Sequence, residues 1–175
     1  SYSASPTTST TYWVRRVGTS TCTNVTGGAT KTITVNTGPT APTSISGTTP
    51  ICTGSSTTLT AQGGSVGSGA SYQWGTGSTV GSNVISGATS SSYSASPTTS
   101  TTYWVRRVGT STCTNVTGGV TKTITVNTGP TAPTSISGTT PICTGSSTTL
   151  TAQGGSVGSG ASYQWGTGSV GSNVI

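Results

Sequence analysis

The chain repeats itself. Ser1-Tyr2-Ser3-Ala4-Ser5-Pro6 returns as Ser92-Tyr93-Ser94-Ala95-Ser96-Pro97, a period of 91 residues. Along the overlap the copies differ at two places only: Ala29 becomes Val120, and Thr79 has no counterpart between Ser169 and Val170. A fixed period restricts the fold to a unit that fills one period and then joins its copy. A unit of about 90 residues is the right size for a whole β-sandwich. Asn36-Thr37-Gly38-Pro39-Thr40-Ala41-Pro42 and its copy, Asn127 to Pro133, are short and rich in breakers, as joints should be. They divide the chain into the C-terminal half of a repeat (1–38), one complete repeat (41–129) and the N-terminal half of the next (132–175). The window is expected to be cut at one loop, since it opens after the equivalent of Ser86 to Ser91 and closes before that loop recurs.

Alternation supplies the strands. Thr57, Leu59 and Ala61 face one way between Ser56, Thr58 and Thr60, and Tyr72 and Trp74 share a face across Gln73. Tyr93 and Ala95, then Tyr103 and Val105, then Ile124 and Val126 repeat the pattern. Gly63-Gly64, Gly75-Thr76-Gly77 and Gly118-Gly119 read as turns, and no segment has the helical period. Leu, Ile, Val and Phe make up only 25 of 175 residues, a composition that by itself points to disorder. The patterning and the abundance of β-branched Thr argue the other way. The expected fold is all-β, with a core of Leu59, Tyr72, Trp74, Tyr93, Tyr103, Val105, Ile124 and Val126.

The chemistry available is narrow, because the chain contains no Asp, Glu or His. General acid–base catalysis draws mainly on those residues, and a Ser–His–Asp triad cannot be assembled without them. Calcium and magnesium lack their carboxylate ligands, and zinc would have only four widely spaced cysteines. The expectation is no enzyme, no metal and no cofactor. Arg15, Arg16, Lys31, Arg106, Arg107 and Lys122 carry the +6 charge in a sparse pattern. Nucleic-acid partners call for a dense basic patch, so none is expected. No run is long or apolar enough to insert in a membrane as a helix. Cys22, Cys52, Cys113 and Cys143 form an even set without C-x-x-C spacing, which favours structural disulfides in an oxidising compartment. Free buried thiols are the alternative.

Gly54-Ser55-Ser56-Thr57-Thr58-Leu59-Thr60-Ala61 followed by Tyr72-Gln73-Trp74 resembles strands B and C of immunoglobulin-like (Ig-like) domains, and Tyr103 resembles their tyrosine corner. The string from Ala41 to Asn127 resembles the Ig-like tandem repeats of giant surface adhesins in gliding bacteria, a group that includes the gliding-motility adhesin exported by the type IX pathway. The resemblance implies an extracellular, cell-surface filament or stalk whose partners are adjacent repeats, other copies in a filament and surface polysaccharide. The cysteines depart from the Ig pattern, because none occupies the usual B or F core position. In an Ig topology Cys52 and Cys143 precede strand B at one end, while Cys22 and Cys113 follow strand F at the other. A bond within one repeat would have to span the sandwich. The topology therefore implies a staple from the pre-B cysteine of one repeat to the F–G cysteine of the next.

Parity puts Trp104 and Arg106 on the face opposite Tyr103 and Val105, and Trp13 and Arg15 repeat this one period earlier. A Trp beside an Arg on a surface suits a sugar ring or a cation–π pair, or a contact with a neighbouring loop or chain. These four residues are the candidate surface contacts. Asn24-Val25-Thr26 and Asn115-Val116-Thr117 match the N-glycosylation pattern, as chance provides in a Thr-rich chain. Lys122 near Asn127 resembles an isopeptide pair without its catalytic acid. Threonine rows suited to ice are a weaker idea. The expected role is a structural repeat of a surface stalk, with a carbohydrate- or surface-binding module as the alternative.

Overall fold

The computed structural model describes residues 1–110 and 112–175. Between the two joints, strands β3 (Ser44–Ser46), β5 (Thr57–Gln62) and β7 (Ser92–Ala95) form one antiparallel sheet in the order β3-β5-β7. Strands β6 (Ser71–Thr76), β8 (Thr101–Val108) and β9 (Val116–Ile124) form a second, in the order β6-β8-β9. Two short strands, β4 (Ile51–Cys52) and β10 (Val126–Asn127), pair in parallel, Ile51 opposite Val126 and Cys52 opposite Asn127. The chain is all-β, a sandwich built from antiparallel sheets. The preceding half-repeat contributes the hairpin β1 (Thr10–Val17) and β2 (Val25–Ile33). The following half contributes β11 (Ser135–Ser137) and β12 (Thr151–Gln153).

The core lies where the two sheets meet. Ile45, Leu59, Ala61 and Ala95 enter it from one sheet, Trp74, Tyr103, Val105 and Ile124 from the other, and Ile51 closes one side. Tyr72, Tyr93 and Val126 pack against this cluster half-buried. The alternation thus placed all eight expected core residues correctly, five of them inside and three at the margin. Trp74, Tyr93 and Tyr103 form a run of rings with centroids 6.0 Å apart at each step, inside the range where aromatic pairs attract. The Trp74 indole N–H donates to Ser90 O at 2.9 Å, so burial leaves that donor satisfied. Tyr103 makes no hydroxyl hydrogen bond among the described residues; it is a core ring rather than a tyrosine corner.

Two expected turns are strand: Gly75 and Thr76 belong to β6, with only Gly77 beyond its end, and the Gly118-Gly119 pair is the second. Gly118 and Gly119 lie within β9, where Gly119 pairs with Arg106 of β8. A Cβ on Gly119 would come within 2.7 Å of the Val80 side chain. The missing side chain therefore admits a neighbouring loop to the outer surface of this sheet, as it could not at a larger residue. Both joints are free of helix and continuous strand: residues 37–42 carry neither, and residues 128–133 hold only an isolated bridge from Thr131 to Ser156.

Candidate functional site

The outer face of β8 was the expected contact surface, and its parity is as anticipated. The Arg106 guanidinium carbon sits 5.5 Å from the Trp104 ring centroid, and Arg15 repeats this over Trp13 at 5.4 Å. Exposure is different. Trp104 is fully buried, whereas Trp13 is 65% exposed. The cover comes from the segment 77–84 of the same repeat. The Trp104 indole N–H donates to Ser82 O at 2.8 Å and to Thr76 O at 3.3 Å. Beneath the ring lies Gly75, where an added Cβ would be 2.7 Å from the indole nitrogen. Only glycine lets the ring lie flat on the strand. Arg106 is half-buried and its Nε donates to Gln73 Oε1 at 2.7 Å. Trp104 is thus corrected from a surface contact to the centre of a second, smaller core on the outer side of the sheet. Trp13 and Arg15, in the half-repeat 1–38, are exposed.

A residue the sequence did not single out holds the repeat to its joint. Arg107 is 3% exposed in a chain without a single carboxylate side chain. Its guanidinium donates to Thr40 O at 2.6 Å, to Gly63 O at 2.7 Å and to the Tyr72 hydroxyl at 3.1 Å. It also lies 5.0 Å from the Tyr72 ring centroid. Carbonyl dipoles and a π face thus replace the counter-ion. The Nε–H is buried without a partner. The bond to Thr40 ties β8 to the segment that enters the repeat.

That segment is fastened along its length. Thr37 N donates to Ser68 Oγ at 3.1 Å, and Ser68 N returns a bond to Thr37 O at 2.9 Å. Thr40 N donates to Ser65 O at 2.9 Å, while Ser65 N donates to Thr40 Oγ1 at 2.7 Å. Gly67 takes the left-handed φ of 58° that brings this loop against the joint, and a Cβ there would meet Gly38 O at 2.7 Å. The second joint repeats the pattern: Thr128 N to Ser159 Oγ at 3.1 Å, Ser159 N to Thr128 O at 2.8 Å, and Gly158 at φ 60°. From the loop between β8 and β9, Thr112 Oγ1 accepts from Asn36 Nδ2 at 2.9 Å, and Asn115 Nδ2 donates to Pro39 O at 3.4 Å.

The four cysteines are free thiols. Cys22, Cys52 and Cys143 are exposed and Cys113 is half-buried. Cys113 Sγ donates to Asn36 O at 3.4 Å across the joint. Among the described residues no cluster of side chains could ligate a metal ion, and no helix is long and apolar enough to cross a membrane.

No curated protein matches the chain. Residues 41–128, spanning the complete repeat and half of the chain, match a family described as a domain of unknown function, DUF8696, and the chain belongs to that family.

Proposed function

We propose that the chain is a segment of an extracellular filament or stalk on a bacterial surface, part of a large adhesin, in which Ig-like repeats are joined end to end as rigid spacers. The observation that carries this reading is the joint itself, whose Thr–Ser pairing recurs: Thr37 with Ser68 and Thr40 with Ser65 at the first, Thr128 with Ser159 and Thr131 with Ser156 at the second. A flexible linker would leave those donors to water. Here the Pro- and Gly-rich segment is a fixed spacer, and a fixed joint repeated identically propagates a direction along the chain. Strand orders β3-β5-β7 and β6-β8-β9, with β4 beside β10, support the Ig-like assignment. The absence of Asp, Glu and His supports a non-catalytic role. A carbohydrate-binding face on β8 loses its central aromatic, because Trp104 lies under residues 77–84.

The test is small-angle X-ray scattering on chains of increasing repeat number. Rigid joints give a maximum dimension that rises by a constant increment with each repeat. A dimension that grows as the square root of repeat number, the signature of flexible links, would overturn the proposal.

A further inference from the structure

We infer that consecutive repeats are covalently stapled by a disulfide between the cysteine preceding β5 of one repeat and the cysteine between β8 and β9 of the next. In the complete repeat Cys52 pairs with Asn127, whose carbonyl accepts from Thr53 N at 2.9 Å and Thr53 Oγ1 at 3.2 Å. Asn36 holds the same place in the preceding repeat, one period earlier. Cys113 Sγ reaches the carbonyl oxygen of Asn36, at 3.4 Å. Where a whole repeat precedes the joint, its own cysteine strand runs beside Asn36, as β4 runs beside β10. Paired strands lie about 4.8 Å apart, and a disulfide requires Cα atoms within about 7 Å. The two thiols therefore belong to one joint.

Burial agrees. Cys113 is the cysteine that contacts the last residues of the preceding repeat in this chain, at Asn36, and it is the half-buried one. Cys52 is exposed at the opposite end of the repeat, where the next repeat's loop between β8 and β9 would arrive. By the period, the partner of Cys113 precedes Ser1 and the partner of Cys52 follows Ile175, so four free thiols are what this span should contain.

Formation is thiol–disulfide exchange with a small-molecule or protein disulfide as oxidant. One cysteine thiolate attacks the oxidant's disulfide and expels the first oxidant thiolate. The second cysteine thiolate then attacks the cysteine sulfur of that mixed disulfide and expels the other. Two electrons pass to the oxidant, and the two thiol protons end on its thiolates.

A copy of residues 41–91 placed ahead of Ser1 completes the preceding repeat while keeping the whole chain. This protein is treated with oxidised glutathione, alkylated, digested and read by mass spectrometry. The expected product is one crosslink between the added copy's cysteine and Cys113, with Cys22, Cys52 and Cys143 alkylated. C113S removes it. The oxidised protein should melt at least ~5 °C above its reduced form, since the closed loop restricts the unfolded chain. Complete alkylation of Cys113 after oxidation, or its bonding to Cys22 or Cys52, overturns the inference. The inference rests on the end-to-end joint proposed above. Scattering of the reduced protein tests that joint separately, so a rigid reduced chain with an unoxidisable Cys113 would refute the staple alone.

Discussion

Replacing Arg107 by Ala tests whether a buried cation without a counter-ion can be stabilising. The side chain makes three hydrogen bonds and one cation–π contact. Bonds from a charged donor contribute about 1.5–3 kcal/mol each, and a desolvated cation–π contact about 2 kcal/mol. Against them stands the desolvation of the guanidinium, several kcal/mol, which the substitution relieves. Thr40 and Gly63 are exposed, so their carbonyls regain water once the arginine is gone. The expected loss is about 2–4 kcal/mol for the complete repeat, or roughly 10–25 °C in its melting midpoint at this size. Within this span Arg16, one period earlier, serves as a control: it is exposed, and the counterparts of Thr40, Gly63 and Tyr72 are not among residues 1–38. Arg16→Ala should cost less than about 0.5 kcal/mol, as surface changes do. Urea unfolding followed by tryptophan fluorescence reads both, because Trp74 and Trp104 are fully buried in the complete repeat. Hydrogen exchange at Thr40 and Ser65 should rise in the Arg107 variant only. Equal midpoints for the two variants would refute the account of Arg107.

The same duplication sharpens two further expectations. Trp104→Ala should destabilise the complete repeat by about 3–5 kcal/mol, the usual loss for a buried aromatic, while Trp13→Ala should stay within about 0.5 kcal/mol; calorimetry separates them. Stability should be flat across acid pH, because the carboxylate and histidine side chains that drive acid unfolding are absent. It should fall only at alkaline pH. Burial, and then the neighbouring Tyr93, raises the Tyr103 phenol above its ordinary value, so the folded chain holds that proton more tightly than the unfolded one. The contribution is present below about pH 10 and lost as pH rises through the elevated value. Thermal melts from pH 3 to 11 check this, and a steep acid limb would contradict it.

What the sequence disclosed follows from what alternation encodes. Period two tells which residues share a face, and so Leu59, Trp74, Tyr103, Val105 and Ile124 were legible as core. It does not tell what lies over the other face. Trp104 had the correct parity and the wrong environment, because its cover is the irregular segment 77–84, admitted by Gly75 and Gly119. Ile45 and Ile51 are also buried, but β3 and β4 span three and two residues, too few for a period to register. Arg107 escaped notice for a chemical reason. A lone cation in a Ser/Thr-rich chain reads as solvated, and only the folded joint supplies the carbonyls and ring that replace water. The breaker-rich segments were legible as joints, but their stiffness was not, since Gly and Pro mark where the chain turns and not whether its amides find partners.

The parallel pairing of β4 with β10 has a mechanical consequence. Tension along a tandem chain would reach β4, just after the first strand β3, from the N-terminal side and β10, the last strand, from the C-terminal side. β4 and β10 run side by side in the same direction, bonded from Ile51 N to Thr125 O at 3.0 Å and from Thr53 N to Asn127 O at 2.9 Å. Pulling the ends apart slides the strands past one another, so these bonds bear the force together rather than opening one after another like a zipper. The bond from Thr125 N to Thr49 Oγ1 at 2.9 Å lies in the same patch. In a tandem chain under load, this small group of bonds at the edge of the sandwich would set the force at which a repeat gives way.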